Sequence, residues 1–181
     1  MDDKGVFENS EVTLKMHREK SILLTAFQGT SSERLLNEIE GYQVLILPND
    51  KVRDSELLLG MLSETHFDYV LSFGQRPNVK DKVHIETTAR DGEVCLDTVF
   101  DCERLRLLFE QNGIAAKFSH NAGTSFCNTL YWNGLKYIAE HGLETKMVFI
   151  HVPFGRNISD IKLFKNRIFE TIKDIHAKFK S

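Results

Sequence analysis

The chain has 181 residues, a formal net charge of −3, 41% hydrophobic and 27% charged residues, which suits one water-exposed domain with a substantial core. Its lysines and arginines are scattered rather than gathered in a stripe that would neutralise phosphates, which argues against nucleic acid as a partner. No apolar run approaches the ~20 residues of a membrane-spanning helix, which argues against a membrane.

Residues 1–20 are polar, begin with acids and lack an apolar core segment, so they are read as an N-terminal extension rather than a signal peptide. The α/β domain is placed over 21–181. Ile22–Phe27 is a short apolar run stopped at Gln28-Gly29 and reads as a buried strand. Ser31 and Ser32 precede Glu33, with Leu35, Leu36 and Ile39 at helical spacing, which predicts an N-capped amphipathic helix. Val44–Leu47 is a strand stopped by Pro48, Ser55–Leu62 a helix, and Tyr69–Phe73 a strand closing on Gly74. Val83–Thr88 alternates as a strand does, before a turn at Asp91-Gly92. Thr98–Glu110 is predicted helical up to Asn112-Gly113, Ile114–Phe118 a strand, and Phe126–Ile138 a helix. Met147–Ile150 is a very apolar strand delivering His151, and Ile158–Phe179 is a long amphipathic helix. This alternation predicts a single-domain, three-layer α/β/α sandwich with a mostly parallel twisted sheet. Ligands in such sheets gather where strands end, and Phe27, Gln75, Asn121–Gly123 and His151 all fall at inferred strand ends.

The three cysteines, Cys95, Cys102 and Cys127, are odd in number and form no CxxC pair. That pattern suits reduced thiols in the cytoplasm, with no metal and no cofactor. Cys95, in a short strand, and Cys102, in a helix, read as structural. Cys127 stands at a helix start, after a Gly-containing loop. Unpaired backbone N–H groups and the helix dipole there favour a thiolate, predicting a pKa below the ~8.5 of a free thiol. The same N–H groups suit an oxyanion. A buried cysteine is also a common small hydrophobe, and a histidine at a strand end is often only hydrogen-bonded. The pair of Cys127 with His151 is what suggests a nucleophile and its base.

Ser119-x-Asn121-Ala122-Gly123-x-x-Phe126-Cys127-Asn128 resembles the cysteine signature of the pyroglutamyl peptidase I (pyrrolidone-carboxylate peptidase, peptidase C15) family. Phe149-Ile150-His151-Val152-Pro153 resembles its histidine signature, and the step of 24 residues between Cys127 and His151 is similar to that family's. Ile22–Phe27, Leu47-Pro48, Phe73-Gly74-Gln75 and His84–Ala89 look like further family segments. The resemblance implies Cys127 as nucleophile, His151 as general base and Glu86 as the carboxylate that orients the imidazole. Gln75 matches a residue near the oxyanion site, and Arg90 matches the family's arginine there if a gap follows it. The implied reaction removes an N-terminal pyroglutamyl residue from a peptide through a thiol acyl-enzyme.

The recognition segments depart from the family. Its first loop normally reads Phe-x-Pro-Phe-Gly-Gly, with aromatic rings that hold the lactam; here Phe27 keeps the first ring, the second is missing and Thr30 replaces an asparagine. The stretch between Glu86 and Cys127 is shorter, lacking a loop-and-hairpin excursion. The expected substrate is therefore a pyroglutamyl peptide or a related small N-acyl amide, with homo-oligomerisation left open. Two other readings stand beside this one: a non-catalytic relative serving as a binding module, and an anion site at the helix start Gly29–Ser32.

Overall fold

The computed structural model describes residues 21–179; the extension expected over 1–20 lies outside them. In chain order the elements are β1 (Ile22–Phe27), α1 (Ser31–Leu36), β2 (Gln43–Leu47), α2 (Lys51–Glu64), β3 (Tyr69–Arg76), β4 (Lys82–Glu86), β5 (Thr88–Asp91) and β6 (Val94–Asp97). Then follow α3 (Cys102–Gln111), β7 (Ala115–Ser119), α4 (Phe126–Glu140), β8 (Lys146–Pro153), a 3-10 turn at Gly155–Asn157 and α5 (Ile161–Lys178). Six strands form one sheet in the order β2-β1-β3-β8-β4-β7, while β5 and β6 make a separate antiparallel hairpin.

The central strands are covered on both faces, which is why β1, β3 and β8 read as continuous apolar runs rather than alternating ones. Side chains alternate between faces along each strand. Leu24, Leu71, Val148, Ile150 and Val152 join one core with α1, α3 and α5. Leu23, Val70, Met147 and Phe149 join the other with α2 and α4. By the same alternation Thr25, Ser72, Gly74, Glu86 and His151 all lie on the second face, so the polar groups and Cys127 of α4 meet on one side of the sheet.

β1, β2, β3 and β8 are parallel, as expected, but β4 runs antiparallel to β8, and β7 follows β4. The C-terminal ends of β4 and β7 therefore point away from the edge where β3 and β8 end. The site gathers instead because β4 lies opposite the second half of β8, with His84 facing His151 and Glu86 facing Phe149. His151 is not at a strand exit either. β3 continues to Arg76, and pairing Gly74 with His151 and Arg76 with Pro153 extends β8 beyond the apolar run.

Other boundaries move for local reasons. α2 starts at Lys51, not Ser55, because the Asp50 carboxylate caps the N–H groups of Val52 and Arg53. Asp101 and Asp160 likewise start α3 and α5 a few residues later than the apolar spacing suggested. The expected strand Val83–Thr88 is divided between β4 and β5. A hairpin, β5–β6, does occupy the shortened segment, turning at Gly92 with φ +58°. Among the described residues no helix is long and apolar enough to cross a membrane.

Candidate active site

Glu86 and His151 form the buried polar centre. Glu86 is 0% exposed and His151 3%. His151 Nδ1 and Glu86 Oε1 are 2.6 Å apart. With Nδ1–H donating to the carboxylate, Nε2 is the nitrogen left for proton transfer. Phe149 packs on the imidazole, with ring centroids 5.0 Å apart. Burial by itself would raise the Glu86 pKa. The hydrogen bond from His151, Ser119 nearby and the Arg76 charge outweigh it and hold the carboxyl below its ordinary value. Glu86 is thus an anion in the core, and the Tyr131 hydroxyl fixes the strand beneath it by donating to Glu86 O at 2.9 Å.

Cys127 is the second residue of α4, after the extended N-cap Ser125, whose side chain makes no capping bond. Backbone N–H groups of this first turn therefore remain available. The thiol lies over Gly74: a Cβ on Gly74 would come within 2.7 Å of Cys127 Sγ and 2.8 Å of Phe149 Cζ. Gly74 is the register partner of His151. Neighbouring strands are about 4.8 Å apart, so Gly74 has the thiol above it and the His151 position next to it in the sheet. Among the described residues no hydrogen bond yet joins Sγ to His151, a looseness common before substrate binds.

The lowered thiol pKa expected from the helix start is not found. Burial pushes Cys127 up to about 12; its own N–H and Arg76 pull it down, while Glu86 and Asp54 push it up. Desolvation outweighs one helix turn's dipole here. The surroundings of Cys127 thus favour the thiol over the thiolate.

The remaining predicted residues are placed as follows. Phe27 is buried and packs tilted against Phe149, with centroids 6.4 Å apart. Gln75 Oε1 accepts from Ser31 N at 3.0 Å and Ser31 Oγ at 3.2 Å, which fixes its amide and leaves Nε2 as a donor at the end of β3. Arg90 is anchored by its contacts: its guanidinium donates to His120 O and Cys95 Sγ, while its backbone exchanges two hydrogen bonds with the side chain of Asn128, the residue after Cys127. The helix start at Gly29–Ser32 has its own anion, since Gly29 N–H donates to Glu33 Oε2 at 2.6 Å and Ser31 N–H is taken by Gln75. That removes the grounds for a phosphate there. Cys95 is exposed rather than a buried structural thiol.

Residues that the sequence reading passed over also stand here. Arg76 donates from Nη1 to Glu86 Oε1 at 3.0 Å, to Ser119 Oγ at 3.2 Å and to Asn121 O at 3.2 Å. His84 faces His151 across the strands, with Nε2 buried and without a partner among the described residues. Asp54, on α2, is 1% exposed and neither carboxylate oxygen has a hydrogen-bond partner among the described residues. Arg76 lies just past the Gly74-Gln75 pair, and that adjacency was the one signal available in the sequence.

A family profile described as Pyroglutamyl peptidase matches residues 76–163. A pyrrolidone-carboxylate peptidase of Thermococcus onnurineus is 31% identical over 166 residues, spanning 74% of this chain and 83% of the relative. One from Thermoanaerobacter sp. is 28% identical over 167 residues, spanning 74% and 82%. The fold is that of the pyrrolidone carboxyl peptidase of Thermococcus litoralis, with a TM-score of 0.71 at 20% identity, covering 90% of this chain and 97% of that one. Pyroglutamyl peptidase I of Bacillus amyloliquefaciens gives 0.73 at 19% identity, covering 88% and 98%.

Proposed function

The chain belongs to the pyroglutamyl peptidase family, and on that premise we propose that it is a cysteine-type omega peptidase acting on an N-terminal pyroglutamyl, or similarly small N-acyl, group. The observation that carries this reading is the Glu86–His151 contact of 2.6 Å beside a thiol seated over Gly74. Cys127 is the nucleophile, His151 the base, and Glu86 fixes the tautomer.

In the first half-reaction the Sγ–H proton passes to His151 Nε2 as sulfur bonds to the substrate carbonyl carbon. The resulting oxyanion is met by the N–H groups of the first turn of α4, while the Gln75 side chain stays on the α1 face with Ser31. His151 returns the proton to the amine as the C–N bond breaks, leaving a thioester. Water then gives its proton to His151, attacks the thioester, and thiolate leaves to regain that proton. Glu86 stays ionised throughout and stabilises the transient imidazolium.

Phe27 supplies one ring for the acyl pocket, and the absence of a second aromatic in the 28–33 segment suits weaker or broader recognition than that of a full lactam clamp. Reduced thiols at all three cysteines fit a cytoplasmic setting. A panel of coumarin amides carrying pyroglutamyl, prolyl and N-acetyl-alanyl groups tests the reading. The pyroglutamyl amide is expected to be cleaved by the wild type and not by Cys127→Ala, with unchanged circular dichroism. Equal turnover by the two proteins would overturn it.

A further inference from the structure

From the contacts of its guanidinium we infer that Arg76 is a positioning residue for the catalytic pair, one that shares Glu86 with His151 and ties that carboxylate to the nucleophile loop. The inference rests on the roles proposed for Cys127, His151 and Glu86.

Both donors use the same oxygen. Glu86 Oε1 is 2.6 Å from His151 Nδ1 and 3.0 Å from Arg76 Nη1, while Oε2 is buried and has no partner among the described residues. A carboxylate at 0% exposure with the imidazole as its one partner would leave its charge largely uncompensated in the core. Arg76 supplies the compensating charge, so the anion stays in place beside the imidazole it orients. The same Nη1 bridges to Ser119 Oγ and Asn121 O, the beginning of the loop that leads to Cys127. Arg76 itself is held in register because it ends β3, paired with Pro153 of β8.

Its charge reaches the other partners too. Arg76 works against the rise that burial imposes on Cys127, and together with burial it keeps His84 below its ordinary pKa. The charged and titratable groups facing the pair are therefore Arg76 from β3, His84 and Glu86 from β4, Cys127 from α4 and, farther off, Lys82 of β4 and Asp54 of α2. β7 contributes the uncharged Ser119 beside Glu86 and the exposed Lys117 across from His84. Among the described residues Arg76 is the one lysine or arginine paired with Glu86.

Arg76→Met keeps the length and removes the charge; Arg76→Lys restores a charge without the planar fork. With Arg76→Met, the acid limb of kcat/KM against pH should move up by about one unit, the size of shift that loss of one nearby charge produces. The rate of Cys127 alkylation by iodoacetamide, followed by peptide mass spectrometry, should need a correspondingly higher pH. Arg76→Lys should bring both curves back toward wild type while kcat stays reduced. A fall in kcat or melting temperature with both curves unmoved would reduce Arg76 to a structural clamp and overturn the inference. The alkylation arm needs no substrate. An enzyme inactive on every amide tested would sink the functional reading, and the thiol curve of Arg76→Met would still decide the role of Arg76.

Discussion

Gly74→Ala is the sharpest test of how the site is built. The φ of Gly74 is not in the left-handed region, so alanine meets no backbone penalty and the effect is purely steric. The new methyl carbon would lie 2.7 Å from Cys127 Sγ and 2.8 and 3.0 Å from Phe149 Cζ and Cε1, against ordinary contacts of 3.4–4 Å. Phe149 cannot give way: it is 0% exposed and wedged among Phe27, Tyr131 and His151. The thiol, at the open start of a helix, is the softer partner and must move by roughly 1 Å to restore contact distance. Such a displacement of a reacting atom costs on the order of 10²-fold in rate. Overpacking costs about 1–3 kcal/mol, or roughly 2–12 °C in melting temperature for a chain of this size. The assay is kcat/KM on the pyroglutamyl amide beside a thermal melt. Gly60→Ala serves as control, since nothing lies within 4 Å of a Cβ there and the site is mid-helix in α2; it should keep full activity. If Gly74→Ala retained activity within about threefold, a loss well under 1 kcal/mol in transition-state binding, the placement of the thiol over Gly74 would be wrong.

In the free enzyme, iodoacetamide at pH 7.5 should label exposed Cys95 first, with Cys127 and Cys102 lagging because burial pushes both thiols up to about 12; prompt labelling of Cys127 would show a resting thiolate and a lowered pKa after all. Asp54→Asn should stabilise the fold near neutral pH. Burial raises the Asp54 pKa above its ordinary 3.8, so the penalty is absent at lower pH and grows as pH rises through the raised value. Melts at pH 3.5 and 7.5 check this, and a variant that gains nothing at the higher pH would show that the carboxylate is satisfied in solution.

What could be read from the chain depended on whether the determining interactions are local. β1, β3 and β8 announce themselves because burial on two faces demands unbroken apolar runs. α2 was entered late because its start is fixed by the Asp50 cap, while the apolar spacing begins farther along. The direction of β4 and β7 was not legible at all: period-2 alternation is the same whichever way a strand runs, and only pairing with β8 decides it. Within the site, Cys127 and His151 were visible from their places beside a loop and a strand. Glu86 needed the family likeness, since a carboxylate on an alternating strand looks solvated until its burial is known. Arg76 and Gly74 escaped because their roles lie in contacts across 10 residues of sequence in one case and in the absence of a side chain in the other.

The asymmetric anchoring of the hairpin β5–β6 has a consequence for how activity is lost. His151 sits in a strand bonded along its length to β3 and over three residues to β4, so its amide should exchange hydrogen only with global opening. The hairpin belongs to no larger sheet. It is latched to α4 by the pair of bonds between Arg90 and Asn128, at 3.0 and 2.8 Å, and Asn128 is the residue after Cys127. The hairpin's other hold is the packing of Ala89 and Leu96 on the second core, so detaching it should cost less than melting the sheet, and it loosens the first turn that carries Cys127. Heat or mild denaturant should therefore silence the enzyme while the strand that holds His151 is still fully protected.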